Sequence, residues 1–304
     1  MFWIADLVLL AAIWGGSFLL MQWGAHGFGF VGAAFLRVLI AAALLCALLA
    51  ARGGLPLLRR HLRHMLAVGV VNSGLPFALF AFALLSLPSG LPAILNATAP
   101  LWGALVAALW LGDRLSGTKV LGMLAGLGGV TALCWDRIGT GGVASWLAVP
   151  ACLGATLCYG IGASYTKRFL TGVPPLATAA GSQVGAALFL ALPAAWLMPA
   201  LTGPAAPPLR AWLAILALAA VCTALAYVLF FRLIQNAGPQ RALTTTFLIP
   251  VFGVAYGHLF AGEALTLRMA LGGLAILLGT ALSLGVLTFK RPRPRATAPK
   301  AGTA

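Results

Sequence analysis

Ten stretches of this chain each carry about 20 mostly apolar residues: 3–23, 28–51, 65–87, 91–111, 118–135, 143–165, 176–198, 211–233, 242–261 and 269–289. A run of that length crosses the hydrocarbon core of a bilayer as one helix. Only helices and closed barrels leave no backbone polar group unsatisfied there. The pattern therefore predicts an all-α integral membrane protein with ten transmembrane helices. Composition supports this. The chain is 62% hydrophobic and 8% charged, and one water-soluble core could not hide that much apolar surface. Its formal net charge of +15 does not indicate a nucleic-acid partner. The basic residues stand singly or in short clusters between apolar runs, where they act as topology signals.

Placing the N-terminus in the cytoplasm puts Arg52, Arg59, Arg60, Arg63, Arg114, Lys119, Lys167, Arg168, Arg232, Arg241 and the five basic residues of the tail inside. Arg137, Arg210 and Arg268 fall outside, and Arg37 lies within the second span. Fifteen against three favours both termini in the cytoplasm. The start "MFWIADLVLLAAIWGGSFLL" lacks the basic region of a cleaved signal, so a retained first helix is expected. The cysteines Cys46, Cys134, Cys152, Cys158 and Cys222 all fall in apolar runs and read as buried thiols. His26, His61, His64 and His258 are too dispersed for a metal site. The glycine-rich "GMLAGLGG" follows no strand and has no phosphate-loop lysine, so no cofactor is expected.

The segment "LWLGDRLSGTKVLGMLAGLGG" from Leu109 returns as "LFAGEALTLRMALGGLAILLG" from Leu259. At that offset Pro100 matches Pro250, Gly103 matches Gly253, Gly112 matches Gly262, Asp113 matches Glu263, Gly122 matches Gly272 and Gly129 matches Gly279. Phe77 falls on Tyr227 and Phe80 on Phe230, and further upstream Trp14-Gly15 can be set against Tyr159-Gly160. The chain reads as two copies of a five-helix unit, residues 1–138 and 139–289, followed by a basic disordered cytoplasmic tail, 290–304. Five is odd, so the second copy enters the membrane from the opposite side. The result is two inverted repeats, an arrangement tied to alternating access, with the substrate near the midplane between the halves.

With these segments in hand, the chain resembles the drug/metabolite transporter superfamily, in its EamA-type ten-helix branch. The resemblance is carried by "IWGGSF", "AAFLRVLIAAALL", "ATAPLWGALVAALWLGDRLS" and "LIPVFGVAYGHLFAGEALT". It implies a non-enzymatic carrier in a bacterial inner membrane, a monomer or homodimer, exporting or importing small metabolites, often amino acids. Export is the expected direction by resemblance alone.

Candidate site residues follow from polarity inside the spans. Trp14, Ser17, Asn72, Ser73, Asn96, Trp102, Tyr159, Tyr227 and Thr246 are midspan polar or aromatic side chains. A polar group in lipid needs a partner, so they should face inward, as cavity lining or as helix–helix contacts. Phe77, matched to Tyr227, joins the substrate-binding set. Arg37 is a cation roughly 14 Å into the core. Its partner could be a substrate carboxylate, but a helix C-terminus or structural water is the favoured one, and the resemblance includes a similar arginine, which points to architecture rather than substrate. Pro100 and Pro250 fall mid-span, where a missing N–H bends a helix and permits shape change. Asp113 and Glu263 suit capping of the helix that follows each of them. The spans offer no buried carboxylate for a proton relay. The leading expectation is a secondary transporter of small metabolites. The alternatives are a multidrug or cation exporter of the same superfamily, which would want a membrane-embedded glutamate, and an integral-membrane enzyme, which would want clustered acidic residues or metal ligands.

Overall fold

The computed structural model describes residues 2–135, 143–202, 206–238, 242, 244–284 and 286. The tail 290–304, Arg137 and Arg241 lie outside them. All regular structure among the described residues is helical. Seven helical runs are long and apolar enough to cross a bilayer, and two shorter apolar helices, Thr245–Ala261 and Leu267–Ser283, accompany them.

The first run, Phe2–Ala51, is two helices. Gly29 breaks it at φ 68°, ψ 164°, a conformation open to glycine alone. A Cβ built on Gly24 would lie 3.6 Å from Ala33 Cβ. In an unbroken helix nine residues span about 13.5 Å, so the chain folds back at Gly29. The expected loop at 24–27 does not form; one glycine makes the turn. The two arms are α1 (2–28) and α2 (30–51). There follow α3 (Leu55–Ala83), α4 (Gly90–Leu111), α5 (Gly117–Cys134), α6 (Val143–Phe169), α7 (Pro175–Thr202), α8 (Leu209–Ala237), α9 (Thr245–Ala261) and α10 (Leu267–Ser283).

Helix ends repeat at the 150-residue offset. Gly112 and Gly262 close α4 and α9 at φ 74° and 67°. The next residue's N–H then bonds six residues back, Asp113 to Ala107 and Glu263 to Gly257, so each helix closes on a left-handed glycine. Ser116 and Thr266 cap the following helices by accepting from the N–H of Lys119 and Met269. A π-helical turn interrupts α3 at Val70–Gly74 and α8 at Ala220–Leu225.

Contacts between the two halves come in mirrored pairs. Where α5 meets α10, Gly122 lies against the Gly279 backbone and Gly129 against that of Gly272. Gly15 of α1 packs on Phe252 and Gly253 of α9; Gly160 of α6 packs on Trp102 and Gly103 of α4. Small residues let these backbones approach closely, as van der Waals packing within a bilayer requires. On the outside, Leu109, Leu192, Trp196, Leu209 and Leu267 are exposed, as lipid-facing side chains would be.

Pro100 departs from the mid-helix expectation. The chain makes a turn at Ala97-Thr98, and Pro100 sits in the first turn of the segment Ala99–Leu111, where a missing N–H is harmless. Pro250 does lie inside its helix.

Candidate functional site

The helices α2 and α7 each send one long polar side chain across the interior. Arg37 on α2 is 6% exposed. Its Nε donates to Thr223 Oγ1 at 3.0 Å, and its guanidinium carbon lies 3.8 Å from the centre of the Phe77 ring. Gln183 on α7 is fully buried and reaches the other way, Nε2 donating to Ser73 Oγ at 2.9 Å. Both acceptors sit in the π-helical turns, which often mark functional positions. Thr223 in turn donates to the Leu218 carbonyl, five residues back, at 2.8 Å.

Tyr227, just beyond the second π turn, lies in the neighbourhood of Ser73 and Arg37. Tyr159 and Cys222 also lie within electrostatic reach of the guanidinium. The result is two hydrogen-bonded pairs, Gln183–Ser73 and Arg37–Thr223, at matched positions of the two halves. Aromatic rings frame them. Trp14 packs on Phe230 at 5.5 Å and Tyr159 on Phe80 at 6.2 Å, another mirrored pair. Phe18 meets Phe80 edge-on at 5.4 Å.

Among the described residues no carboxylate lies within ion-pair distance of Arg37, and its terminal nitrogens make no hydrogen bond to the protein. A guanidinium in low dielectric whose Nη1–Nη2 edge is free is matched to a carboxylate, which it can hold bidentately.

Of the residues expected from sequence, Trp14, Arg37, Phe77, Tyr159 and Tyr227 converge here. Ser17 does not contribute its hydroxyl: it donates to its own Trp14 carbonyl at 2.6 Å. Asn72 lies against Gly162, whose built Cβ would sit 2.9 Å from it. Asn96 and Trp102 lie on α4 and Thr246 on α9, and the Trp102 indole N–H is buried without a partner among the described residues. Thr223 and Gln183 escaped the sequence reading. The signal was available: Ala33-Ala34-Phe35-Leu36-Arg37-Val38 reads against Ala179-Ala180-Gly181-Ser182-Gln183-Val184, so Gln183 occupies the second-half position of Arg37.

The acidic residues correct three expectations. A buried carboxylate does exist. Asp6, 7% exposed, is held by Arg232 through two hydrogen bonds, Nε to Oδ2 at 2.9 Å and Nη2 to Oδ1. Arg232 lies within α8. Glu263 does not cap the helix that follows it. Its carboxylate accepts from the N–H groups of Ser89 and Gly90, at 2.5 and 3.0 Å, and so caps α4. Asp113 caps nothing among the described residues and pairs with Lys167 at 3.2 Å at the surface. Two surface grooves, of about 630 and 380 Å³, open at the end bearing Pro88 and Trp23 and touch none of the central cluster.

Comparison with known proteins places the chain in a family. The model of the EamA-like transporter family matches residues 1–135 and 146–285. The transporter YvbV of Bacillus subtilis is 26% identical over 69% of this chain and 68% of its own length. A probable terminal-alkyne amino-acid exporter of Streptantibioticus cattleyicolor is 24% identical over 84% of each chain. The inner membrane transporter YedA of Escherichia coli is 28% identical over 86% of this chain and 83% of its own. One crystal structure shares the fold with a TM-score of 0.65 at 22% identity, covering 93% of this chain and 98% of that one. With the family's signature running through both halves of an all-helical, lipid-facing fold, the chain belongs to the EamA-like transporter family and is a membrane transporter.

Proposed function

We propose that this protein is a secondary transporter that exports small carboxylate-bearing metabolites, amino acids or related compounds, across the inner membrane by alternating access. The helices α1 to α10 are read as ten spans, two inverted repeats of five, with both termini in the cytoplasm. The mirrored contacts support this. In a two-fold arrangement, if residue i touches the mate of j, then j touches the mate of i. Gly122–Gly279 with Gly129–Gly272 obey that rule, and their opposite running order fits antiparallel helices about an axis in the membrane plane. Two halves so related can exchange conformations and open to either side in turn.

The observation that carries the reading is Arg37. It is a buried cation, at the crossing of the two halves, with no carboxylate of the described residues against it. Keeping such a charge is expensive unless something pairs with it. The surrounding rings of Trp14, Phe77, Tyr159 and Tyr227 suit an apolar side chain on the same ligand. A relative named as an amino-acid exporter supports the class, and Pro250, inside α9, is a suitable bend point for rocking. A multidrug or cation exporter is disfavoured, because the charge in the centre is positive and Asp6 is engaged by Arg232.

The test is counterflow in proteoliposomes preloaded with single amino acids, following uptake of the labelled compound with no ion gradient. Uptake of a carboxylate-bearing class, abolished by Arg37→Met, is expected. Uptake unchanged by Arg37→Met, or confined to cations, refutes the reading.

A further inference from the structure

We propose that Gln183 reads a hydrogen-bond donor on the transported ligand, such as an α-ammonium or α-hydroxyl group, opposite the anionic end held by Arg37. The proposal rests on the carrier reading above and adds a second recognition residue to it.

Three observations converge on Gln183. It takes the second-half position of Arg37, so the two side chains approach the centre as mirror mates, one to Thr223 of α8 and one to Ser73 of α3. Its anchor Ser73 stands 150 positions before Thr223, the residue that accepts from Arg37, so both side chains are held at matched places in the π-helical turns. Its amide is only half used: Nε2 donates to Ser73, while Oε1 is buried and has no partner among the described residues. A buried acceptor left unmade is destabilising. Reversing the amide would only exchange an orphan acceptor for an orphan donor.

A pseudo-symmetric site would ordinarily present the same group from both sides. This one presents a cation from α2 and a neutral acceptor from α7. A ligand lying across the mirror axis is thereby held in one orientation, carboxylate toward Arg37 and donor toward Gln183. A plain carboxylic acid satisfies only the first, and a dicarboxylate sets its second charge against the Gln183 carbonyl. The expected ligand therefore has unlike ends, and a missing donor leaves Oε1 unpaired in a water-poor site.

The experiment compares matched probes in proteoliposome counterflow: L-leucine against 4-methylpentanoate, and L-phenylalanine against 3-phenylpropanoate. Within each pair only the α-ammonium differs. The wild-type protein should favour the amino acid by at least roughly tenfold. Gln183→Met, similar in volume but without an acceptor, should bring the ratio to within about twofold by lowering amino-acid uptake. Ser73→Ala removes the anchoring hydroxyl but leaves Oε1, and should keep most of the preference. Equal loss of both probes in Gln183→Met, or the same profile for Ser73→Ala, would make Gln183 a helix clamp and overturn the proposal. If Gln183→Met fails to reach the membrane, Gln183→Glu decides, since it retains acceptors; a vanished preference there is equally fatal. Absence of counterflow with every probe in the wild-type protein instead refutes the amino-acid carrier reading itself.

Discussion

Gly160→Ala tests the mirrored packing at single-atom resolution. A Cβ at Gly160 would lie 2.8 Å from Gly103 N and Trp102 C and 3.0 Å from Trp102 O. These are backbone atoms, which cannot swing aside as a side chain would. Ordinary contact begins at 3.4 Å, so α6 and α4 must part by about 0.6 Å. Such overpacking costs about 1–3 kcal/mol, partly offset by the roughly 0.5–1 kcal/mol that alanine gains over glycine inside a helix. A net loss of about 1–2 kcal/mol is expected. Gly103→Ala is the control on the facing helix, because a Cβ there meets nothing within 4 Å. It should be neutral or stabilising by up to about 1 kcal/mol. Thermal unfolding of the purified protein in detergent should rank Gly160→Ala below wild type by several degrees, with Gly103→Ala at or above it. Gly15→Ala, the mirror mate, should match Gly160→Ala, since its Cβ would lie 2.9 Å from Gly253 N and Ile249 O. A Gly103→Ala protein less stable than Gly160→Ala would refute the packing argument.

Other perturbations separate residues that look alike in sequence. Glu263→Ala should lower stability by about 1–3 kcal/mol, because it uncaps α4 at Ser89 and Gly90; Asp113→Asn, at the matched position, should cost under about 1 kcal/mol, because its pair with Lys167 is exposed. Equal effects in denaturation would contradict the different partners. Asp6→Asn and Arg232→Gln should be non-additive in a double-mutant cycle, with a coupling of about 1–3 kcal/mol; simple additivity would remove the ion pair as a link between α1 and α8. Arg37→Lys should fail to restore transport lost in Arg37→Met, because an ammonium cannot bond Thr223 through Nε and stack on Phe77 together. Full recovery in a counterflow assay would reduce Arg37 to a bare charge.

Much of the scaffold was legible because it is written locally. Apolar run length marks the helices, and the paired Gly-Asp and Gly-Glu steps mark the left-handed glycine ends at Gly112 and Gly262. The break between the first two spans was legible to within a few residues, but not the residue that makes it: "HGFGF" carries no charge or proline to mark the spot, and the φ of a glycine is not visible in its neighbours. The partners of Asp6 and Glu263 were hidden because they lie 226 and 174 positions away. Arg37 stood out by charge alone. Gln183 did not, for a reason in the repeat itself. The offset is 150 over the last three helices of each half but shifts to 146 at Arg37 and 145 at Trp14. Length changes in the loops broke the register that would have aligned Gln183 with Arg37 and exposed the crossed bonds to Thr223 and Ser73.

Alternating access by the two halves is best tested by two distances measured together. Leu109 with Gln235 spans the halves at the end bearing Lys167 and Arg232, and Leu259 with Leu85 is the mirror pair at the end bearing Glu263. Spin labels at both pairs, in a background with the five cysteines replaced, would be followed by pulsed electron resonance in liposomes with and without transported amino acid. The account predicts opposite changes, one distance lengthening as the other shortens. Two fixed distances, or two that move in the same sense while the protein transports, would contradict it.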